Sequence, residues 1–335
     1  MMKFDHKMSR RVFLAATALA SAATLLPVSL GHAADWPSRP VTMVVPFGPG
    51  ASNDIFTRQL SEVLSRDLGQ PFVVENKPGA GGFTGSLAVS QATPDGYRFL
   101  ELPNSVVAFG PIMGVQLDPL TDLTPIAILA TSPGAMVVPA DLPVNSVKEF
   151  IEYANNRSED TFVGYVGVGA TQHQMAEKFK TLTGVKLKSI NYQSAAEGQT
   201  DLVAGRLQVL FSTIAGVLGQ IQAGKLKVLA YTNDSYAPGS PPAPTMAEQG
   251  VEGMEGSQVW WGVFGPKGMP QDITDQMNAA INKALDDPAM VTVLTNAGAV
   301  PVKGSPADFV KAIKDEAEIV QEFVKLTGFQ PKQGG

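Results

Sequence analysis

Cysteine is absent from this chain of 335 residues. The chain therefore has no disulfide, no thiolate nucleophile and no cysteine-bound metal. Histidine is scarce too, because two of the three histidines, His6 and His32, fall within an N-terminal export segment described below, which leaves His173. One histidine without cysteine disfavours a zinc site, and a Ser-His-Asp triad would have to use that histidine as its base.

The usual signatures of enzymes are also missing. No G-x-S-x-G or H-E-x-x-H motif occurs, and the glycine-rich stretches PFGPGASND, NKPGAGGFTGS and GYVGVGATQH match neither the phosphate loop nor the dinucleotide fingerprint. Aspartate and glutamate are numerous, so paired-carboxylate chemistry stays open as an alternative, although no pair stands out by its spacing. The sequence predicts no cofactor and no metal site, and favours a protein that is not an enzyme.

A long apolar run occurs near the N-terminus, within SRRVFLAATALASAATLLPVSLGHA. Its basic start, its apolar middle and its small-residue exit predict a signal peptide over residues 1–33, cleaved near Ala33. Arg10 and Arg11 favour the twin-arginine type, with an ordinary Sec signal as the alternative. No later segment is apolar for long enough to span a bilayer. We therefore expect a soluble protein of the periplasm.

Positive charge is in short supply. The first 33 residues hold four of the 25 basic residues and one of the 31 acidic residues, so the remainder carries a net charge of −9 with histidine neutral. Neither this charge nor the distribution of lysine and arginine suits a nucleic-acid partner, since no basic block is present.

What the sequence does contain is an alternation of β-rich runs with helical periods. Strands are predicted at 41–47, 72–76, 97–102, 126–130, 135–139, 162–166, 187–192, 207–212, 227–232 and 260–265. Helices are predicted at 53–68, over a segment that carries Met175 and Phe179, at 272–287, and from Ser305 to a stop at Gly328. The alternation indicates α/β layers with mostly parallel sheets, in which ligands bind at the carboxyl ends of the strands.

Two of the strand-to-helix turns could bind an anion. The turn FGPGASND joins a strand to a helix, and VGVGATQHQM repeats this arrangement. The first N–H groups of a helix lack intrahelical partners and lie at the positive end of its dipole. Two such helix starts facing each other would hold a carboxylate without lysine or arginine. The alternative is that these are ordinary turns whose Ser, Thr and Asp residues cap their own helices.

Longer segments are more specific. WPSRPVTMVVPFGPGASNDIFTRQL, LGQPFVVENKPGAGGFTGS, ATPDGYRFL, DPLTDLTPIAILA, GQIQAGKLKVLAYT, PTMAEQGV and VWWGVFGPKGMP occur in this order. Together they resemble the extracytoplasmic solute-binding proteins of tripartite tricarboxylate transporters, known as the Bug family. The resemblance covers essentially the whole chain after the signal segment.

The resemblance implies a type II periplasmic-binding-protein fold, in which two α/β lobes joined by crossing strands close on a ligand cleft. Lobe 1 would comprise residues 36–132 and 258–335, and lobe 2 residues 133–257. It also implies a monomer that captures a small carboxylate and meets the membrane permease subunits of a transporter. The ligand contacts that it implies are Phe47, Gly48, Ala51, Ser52, Asp54, Thr84, Gly169, Ala170, Thr171, His173, Tyr192, Gln193 and Ser194.

Departures from the family pattern concern the ligand. The usual lysine after the lobe 2 tyrosine is Gln193 here, which removes a positive charge beside the cleft. A cleft short of cations and edged by Val106, Val107, Phe109, Phe47 and Phe83 would suit a mono- or dicarboxylate with an apolar or aromatic body. Three alternatives stay open: a receptor that signals to a membrane kinase, a TRAP-type solute receptor, and a periplasmic hydrolase or lyase.

Overall fold

Strands and helices alternate along the chain in the computed structural model, which describes residues 36–110, 114–115, 117–166, 168–192, 194–234 and 236–330. The strands are β1 (Val41–Val45), β2 (Phe72–Asn76), β3 (Arg98–Pro103), β4 (Leu123–Pro139), β5 (Phe162–Val166), β6 (Lys188–Tyr192), β7 (Val209–Thr213), β8 (Leu226–Tyr231), β9 (Gln258–Pro266) and β10 (Val300–Pro301). The predicted signal peptide lies outside the described residues.

The helices fill the connections between these strands. They are α1 (Ser52–Leu68), α2 (Phe83–Ser90), α3 (Asn104–Phe109), α4 (Val147–Asn156), α5 (Thr171–Thr183), α6 (Ala195–Val203), α7 (Ile214–Gln222), α8 (Gln271–Ala284), α9 (Pro288–Asn296) and α10 (Pro306–Thr327). A short 3₁₀ turn, Ala80–Gly82, precedes α2. Within the described part of the chain, no helix is both long enough and apolar enough to cross a membrane.

The strands form one continuous sheet in the order β2-β1-β3-β9-β4-β7-β5-β6, and β8 and β10 also pair with β4. β1 is parallel to β2 and β3, and β5 is parallel to β6 and β7. The pairs that involve β4 or β9 are antiparallel. The expectation of mostly parallel sheets was therefore wrong, because two long strands run against the βαβ units on either side and connect them.

β4 is the strand that connects the two groups of parallel strands, β1 to β3 and β5 to β7. Leu123 to Pro133 pair with β9, whereas Gly134 to Pro139 pair with β7 and β8. The sequence predicted two strands here, at 126–130 and 135–139, because Pro133 and Gly134 are typical turn residues. The structure has one strand of 17 residues. The change of partners near Pro133 is consistent with the lobe boundaries predicted above, which stay a prediction.

Apolar side chains cover both faces of the second half of β4. Met136 and Val138 belong to a cluster with the buried rings of Phe150, Phe179 and Phe211. Ala135 and Val137 belong to a different cluster on the opposite face, together with residues of α7 and Tyr231. Alternate residues of a strand point to opposite faces, so helices must cover both sides of this sheet.

Helix boundaries follow local capping signals. α10 begins after Ser305 and ends at the left-handed Gly328, as the sequence predicted, and the structure adds a capping box in which Ser305 and Asp308 exchange hydrogen bonds. The predicted helix 272–287 was too long, because the chain leaves the helix after Ala284 and Asp287 caps a new helix that begins at Pro288. Proline is favoured at that first position, where its missing N–H costs nothing.

Candidate functional site

Helices α1 and α5 begin without a side-chain cap. Their N-cap residues are Ala51 and Ala170, both in extended conformation, and no side chain in the described part of the chain accepts a hydrogen bond as their cap. Four helices have a side-chain cap, at Ser146, Ser194, Asp287 and Ser305, whereas α2, α3, α7 and α8 lack one among the described atoms, as α1 and α5 do. The first-turn N–H groups of α1 and α5 therefore stay available for an anion.

A cavity of about 460 Å³ is lined by Ala170, at the start of α5, and by Phe47, in the loop that leads to α1. Its walls come from the loop after β1, the glycine turn before α2, helix α3 and the loop between β5 and α5: Phe47, Ala80, Gly81, Phe83, Ser105, Val106, Val115, Val168, Gly169 and Ala170. Among these described residues there is no lysine, arginine or histidine. We call this cavity the ligand cavity.

The walls of the ligand cavity are mainly apolar. Phe47, Phe83 and Val106 contribute side chains, as the sequence predicted, and Val168 adds another that is 47% exposed. Val107, also predicted at the edge, is buried in the core cluster that contains Val106. Five lining residues were not predicted from the sequence: Ala80, Gly81, Ser105, Val115 and Val168.

Ala80 and Gly81, two of the lining residues that were not predicted, belong to the glycine run before α2. Gly82 has φ +103°, and a Cβ built there would lie 3.1 Å from Cγ2 of Val106 and 3.2 Å from Cζ of Phe47. A side chain is therefore disfavoured by both conformation and space. The glycine run was visible in the sequence as a place where the backbone could approach another element closely. That this element includes Val106 of α3 is seen only in the structure.

Asp54 holds the first loop in shape. Its carboxylate accepts hydrogen bonds from the Gly50 N–H (3.0 Å), Arg58 Nε (3.0 Å) and Asn76 Nδ2 (2.8 Å). Burial alone would raise the pKa of Asp54, but the bonds from Arg58, Gly50 and Asn76 bring this pKa below its ordinary value. All of these contacts are within the protein, so Asp54 acts on the loop rather than presenting a free carboxylate.

The other predicted residues of the first lobe lie around this loop. Gly48 and Ala51 are exposed, and Ser52 is half-buried at the first position of α1. Thr84 is exposed on α2, and its N–H donates to Gly79 O at 3.3 Å. These four residues are close in sequence to residues that line the ligand cavity, but none of the four lines it. Their contact with a ligand stays a prediction.

The loop between β5 and α5 brings Gly169 and Ala170 into the ligand cavity. The next residue, Thr171, is 4% exposed, and its Oγ1 is buried without a hydrogen-bond partner among the described atoms. Thr171 is not among the residues that line the ligand cavity, so its contact with a ligand stays a prediction.

His173 lies on the other side of that loop. It borders a second cavity of about 590 Å³, lined by Tyr165, Val168, His173, Glu177, Asn191, Thr327, Phe329 and Gln330. Val168 borders both cavities. His173 is thus separated from the ligand cavity by the backbone of Val168 to Ala170, although it is only three residues beyond Ala170 in the sequence.

Tyr192 and Ser194 have partners within the protein. The Tyr192 hydroxyl donates to Asp201 Oδ2 at 2.9 Å, and burial together with this carboxylate raises the pKa of Tyr192 to about 12. Ser194 caps α6 by accepting from the Glu197 N–H at 3.3 Å. Neither residue lines the ligand cavity. Gln193 lies outside the described residues.

No metal centre is indicated. In the described ranges, no group of three or more His, Asp or Glu side chains could hold a metal ion. The ligand cavity instead combines the uncapped start of α5 with an apolar wall. Such a site can bind an anionic group and an apolar body.

Comparison with known proteins identifies the family. The model of the tripartite tricarboxylate transporter family receptor matches residues 56–329, and the chain belongs to this family. The protein BugT of Bordetella pertussis is 31% identical over 328 residues, which cover 97% of this chain and 99% of BugT. The family is a class of periplasmic substrate-binding receptors and not of enzymes.

Solved structures agree with the fold. Rpa4515 of R. palustris, described with adipate, is 32% identical with a TM-score of 0.79, over 88% of this chain and 99% of that one. MatC of Rhodopseudomonas palustris, described with bound malate, is 27% identical with a TM-score of 0.73, over 86% of this chain and 100% of that one. The prediction of a type II periplasmic-binding-protein fold of the Bug family is confirmed.

Proposed function

We propose that this receptor binds a small organic mono- or dicarboxylate in the ligand cavity and delivers it to the membrane subunits of a tripartite tricarboxylate-type transporter. The observation that carries the proposal is the uncapped start of α5 at Ala170, which lines a cavity without a cationic side chain among its described lining residues. Phe47, in the loop that leads to the uncapped start of α1, lines the same cavity. Backbone N–H groups at two helix starts stabilise a carboxylate by hydrogen bonds and by the helix dipole.

The apolar wall supports a ligand with an apolar or aromatic body. Phe47, Phe83 and Val106 would bury such a body, whereas extra carboxylates would lie against them without partners. Adipate, named with one relative, has an aliphatic body between two carboxylates. We therefore expect adipate-like or aromatic carboxylates to bind more tightly than citrate.

Thermal unfolding of residues 34–335 tests the proposal. A ligand that binds only the folded state stabilises it by RT ln(1 + L/Kd), where L is the free ligand concentration, so at equal concentration the tighter ligand raises the unfolding midpoint more. We expect a selective rise with adipate, longer aliphatic dicarboxylates or benzoate, and a smaller one with malate and citrate. A largest shift with citrate would contradict the apolar-body proposal. No shift with any carboxylate, in protein that native mass spectrometry shows to be free of bound ligand, would contradict the ligand class.

The substitution Ala170→Asp tests the role of the helix start. A carboxylate at the N-cap accepts from the first-turn N–H groups, and replacing alanine by aspartate there stabilises a helix by about 1 kcal/mol. The new carboxylate would occupy the groups that we assign to the ligand. We expect an unfolding midpoint equal to or above that of the wild type, and an affinity for adipate at least about tenfold weaker.

Gln271→Asp is the matched control for charge. Gln271 is exposed at the first position of α8 and does not line the ligand cavity. This variant adds the same charge at a helix start, so we expect unchanged affinity. Calorimetric titration of both variants with adipate decides the matter. If Ala170→Asp binds adipate as the wild type does, the N-terminus of α5 is not the anion site.

Delivery and export are separate parts of the proposal. We propose that residues 1–33 direct export, that cleavage occurs near Ala33, and that the periplasmic protein is a monomer with lobes at 36–132 with 258–335 and at 133–257. Sequencing of the N-terminus of the exported protein tests the cleavage. Uptake of the bound carboxylate by cells that lack the receptor, compared with complemented cells, tests delivery.

A further inference from the structure

His173 contacts the backbone of the ligand loop. The Gly169 N–H donates to His173 Nδ1 at 3.0 Å, across one turn at the start of α5. Gly169 has φ +84°, a conformation that glycine adopts without strain. Because Gly169 and Ala170 line the ligand cavity, this hydrogen bond fixes the direction in which that part of the wall points.

Aromatic rings hold the imidazole in place. The ring of Tyr165 on β5 lies 4.2 Å from that of His173, centroid to centroid, at an interplanar angle of 32°. The rings of Phe329 and Phe323 meet the imidazole edge-on, at 5.3 Å and 6.1 Å. The imidazole is therefore packed between β5 and the C-terminal end of α10, and it is 6% exposed.

Only a neutral imidazole can accept the hydrogen bond at Nδ1, because the protonated ring donates from both nitrogens. Burial lowers the pKa of His173, which the Glu177 carboxylate opposes and the Lys180 ammonium reinforces. The surroundings thus keep Nδ1 free to accept.

We propose that His173 is a positioning residue for carboxylate binding, which fixes the Val168–Ala170 loop from behind through its bond to Gly169 rather than contacting the ligand. This inference rests on the proposed function of the ligand cavity. In this arrangement the Gly169 N–H is directed to His173, and the N–H groups of the first turn of α5 are the ones left for the ligand.

Three substitutions separate positioning from direct contact. Asparagine places Oδ1 near the position of histidine Nδ1, glutamine places its amide near that of Nε2, and phenylalanine keeps a ring but has no acceptor. We expect His173→Asn to bind adipate within about threefold of the wild type, and His173→Phe and His173→Gln to bind at least about tenfold more weakly. The unfolding midpoint should follow a different order, with phenylalanine retaining the ring packing that asparagine loses.

The results that overturn the proposal are distinct. Wild-type affinity in His173→Phe would show that the Gly169 hydrogen bond does not matter. Rescue by glutamine but not by asparagine would indicate direct ligand contact through Nε2. Gln330→Ala is the control, because Gln330 lines the second cavity together with His173 but does not line the ligand cavity. The affinity of this variant for adipate should be unchanged.

Hydrogen exchange of the Gly169 amide in the ligand-free protein keeps this inference separate from the proposed function. We expect faster exchange in His173→Phe than in the wild type, and restored protection in His173→Asn. If the wild type binds no carboxylate, the proposed function fails and His173 cannot position a carboxylate site. The exchange rates would then still show whether it fixes the loop, and equal rates in all variants would refute that as well.

Discussion

Replacing Gly262 by alanine is expected to lower the free energy of unfolding by about 3 kcal/mol, at the upper end of the usual cost of overpacking. Gly262 lies on β9, where it pairs with Leu102 and Ile128. A Cβ built there would lie 2.2 Å from Cζ of Phe309 and 2.8 Å from its Cε2. The ring cannot move aside easily, because it packs against Trp260 and Phe264. Urea unfolding of the ligand-free protein measures the change.

Gly219→Ala is the matched control for Gly262→Ala. Gly219 lies within α7, and a Cβ built there would meet no atom within 4 Å. Alanine is favoured over glycine inside a helix, so we expect stability equal to the wild type or higher by about 0.5–1 kcal/mol. Combining Gly262→Ala with Phe309→Leu should recover part of the loss if the ring contact causes it. Similar stabilities of the two glycine variants would contradict the steric argument.

Replacing Glu101 by glutamine is expected to stabilise the protein at pH 8 and to have little effect at pH 4. Glu101 is fully buried on β3, where both carboxyl oxygens accept from Asn53 Nδ2, at 3.0 Å and 2.8 Å. Burial raises the pKa of Glu101 to about 8, although the bond from Asn53 opposes the shift. Glutamine keeps an oxygen for Asn53 and carries no charge at any pH.

The stability of the wild type falls with rising pH because the folded state binds the Glu101 proton more tightly than the unfolded state does. Below the ordinary pKa of glutamate, 4.5, Glu101 holds its proton in both the folded and the unfolded state, so it contributes no pH dependence to the stability. As the pH rises from there to about 8, the unfolded state loses the proton and the folded state does not, so the wild type loses stability. Above that pH the loss levels off, and the gain from Glu101→Gln is on the order of a few kcal/mol.

Denaturant unfolding from pH 4 to pH 9 measures this difference. Glu62→Gln is the control, since Glu62 is exposed on α1. Glu316 has a pKa raised to about 7 by burial, against hydrogen bonds from Asn104 and Trp260, so some pH dependence remains in the variant. Parallel pH curves for Glu101→Gln and the wild type would show that Glu101 has the same pKa in the folded and unfolded states, which would contradict the prediction.

Local signals in the sequence predicted much of the fold. The glycine stop of α1 at Gly69, the Ser305 cap and the strand at 72–76 occur where they were expected. The predictions were wrong where tertiary pairing outweighs local preference. Pro133 and Gly134 indicate a turn, yet Pro133 pairs with β9 and Gly134 pairs with β7, which keeps the chain extended through both residues.

The site was predictable from the sequence only where its features are local. Uncapped helix starts after glycine turns are local features, and the sequence located both of them. The direction of a side chain is not local. His173 is three residues beyond Ala170 at one helix start, but its imidazole packs against Tyr165 and Phe329 and borders the second cavity instead of the ligand cavity.

By itself the sequence determined the class of this protein. The absence of cysteine, the single histidine beyond residue 33, the glycine turns and the family segments favoured a receptor over an enzyme, since each is a property of composition or of short stretches. Only the tertiary structure decided that β4 and β9 connect the two groups of parallel strands, and which side chains line the ligand cavity. Both depend on contacts between residues more than 100 positions apart in the sequence, such as the pairing of Ile128 with Gly262, which no local pattern can specify.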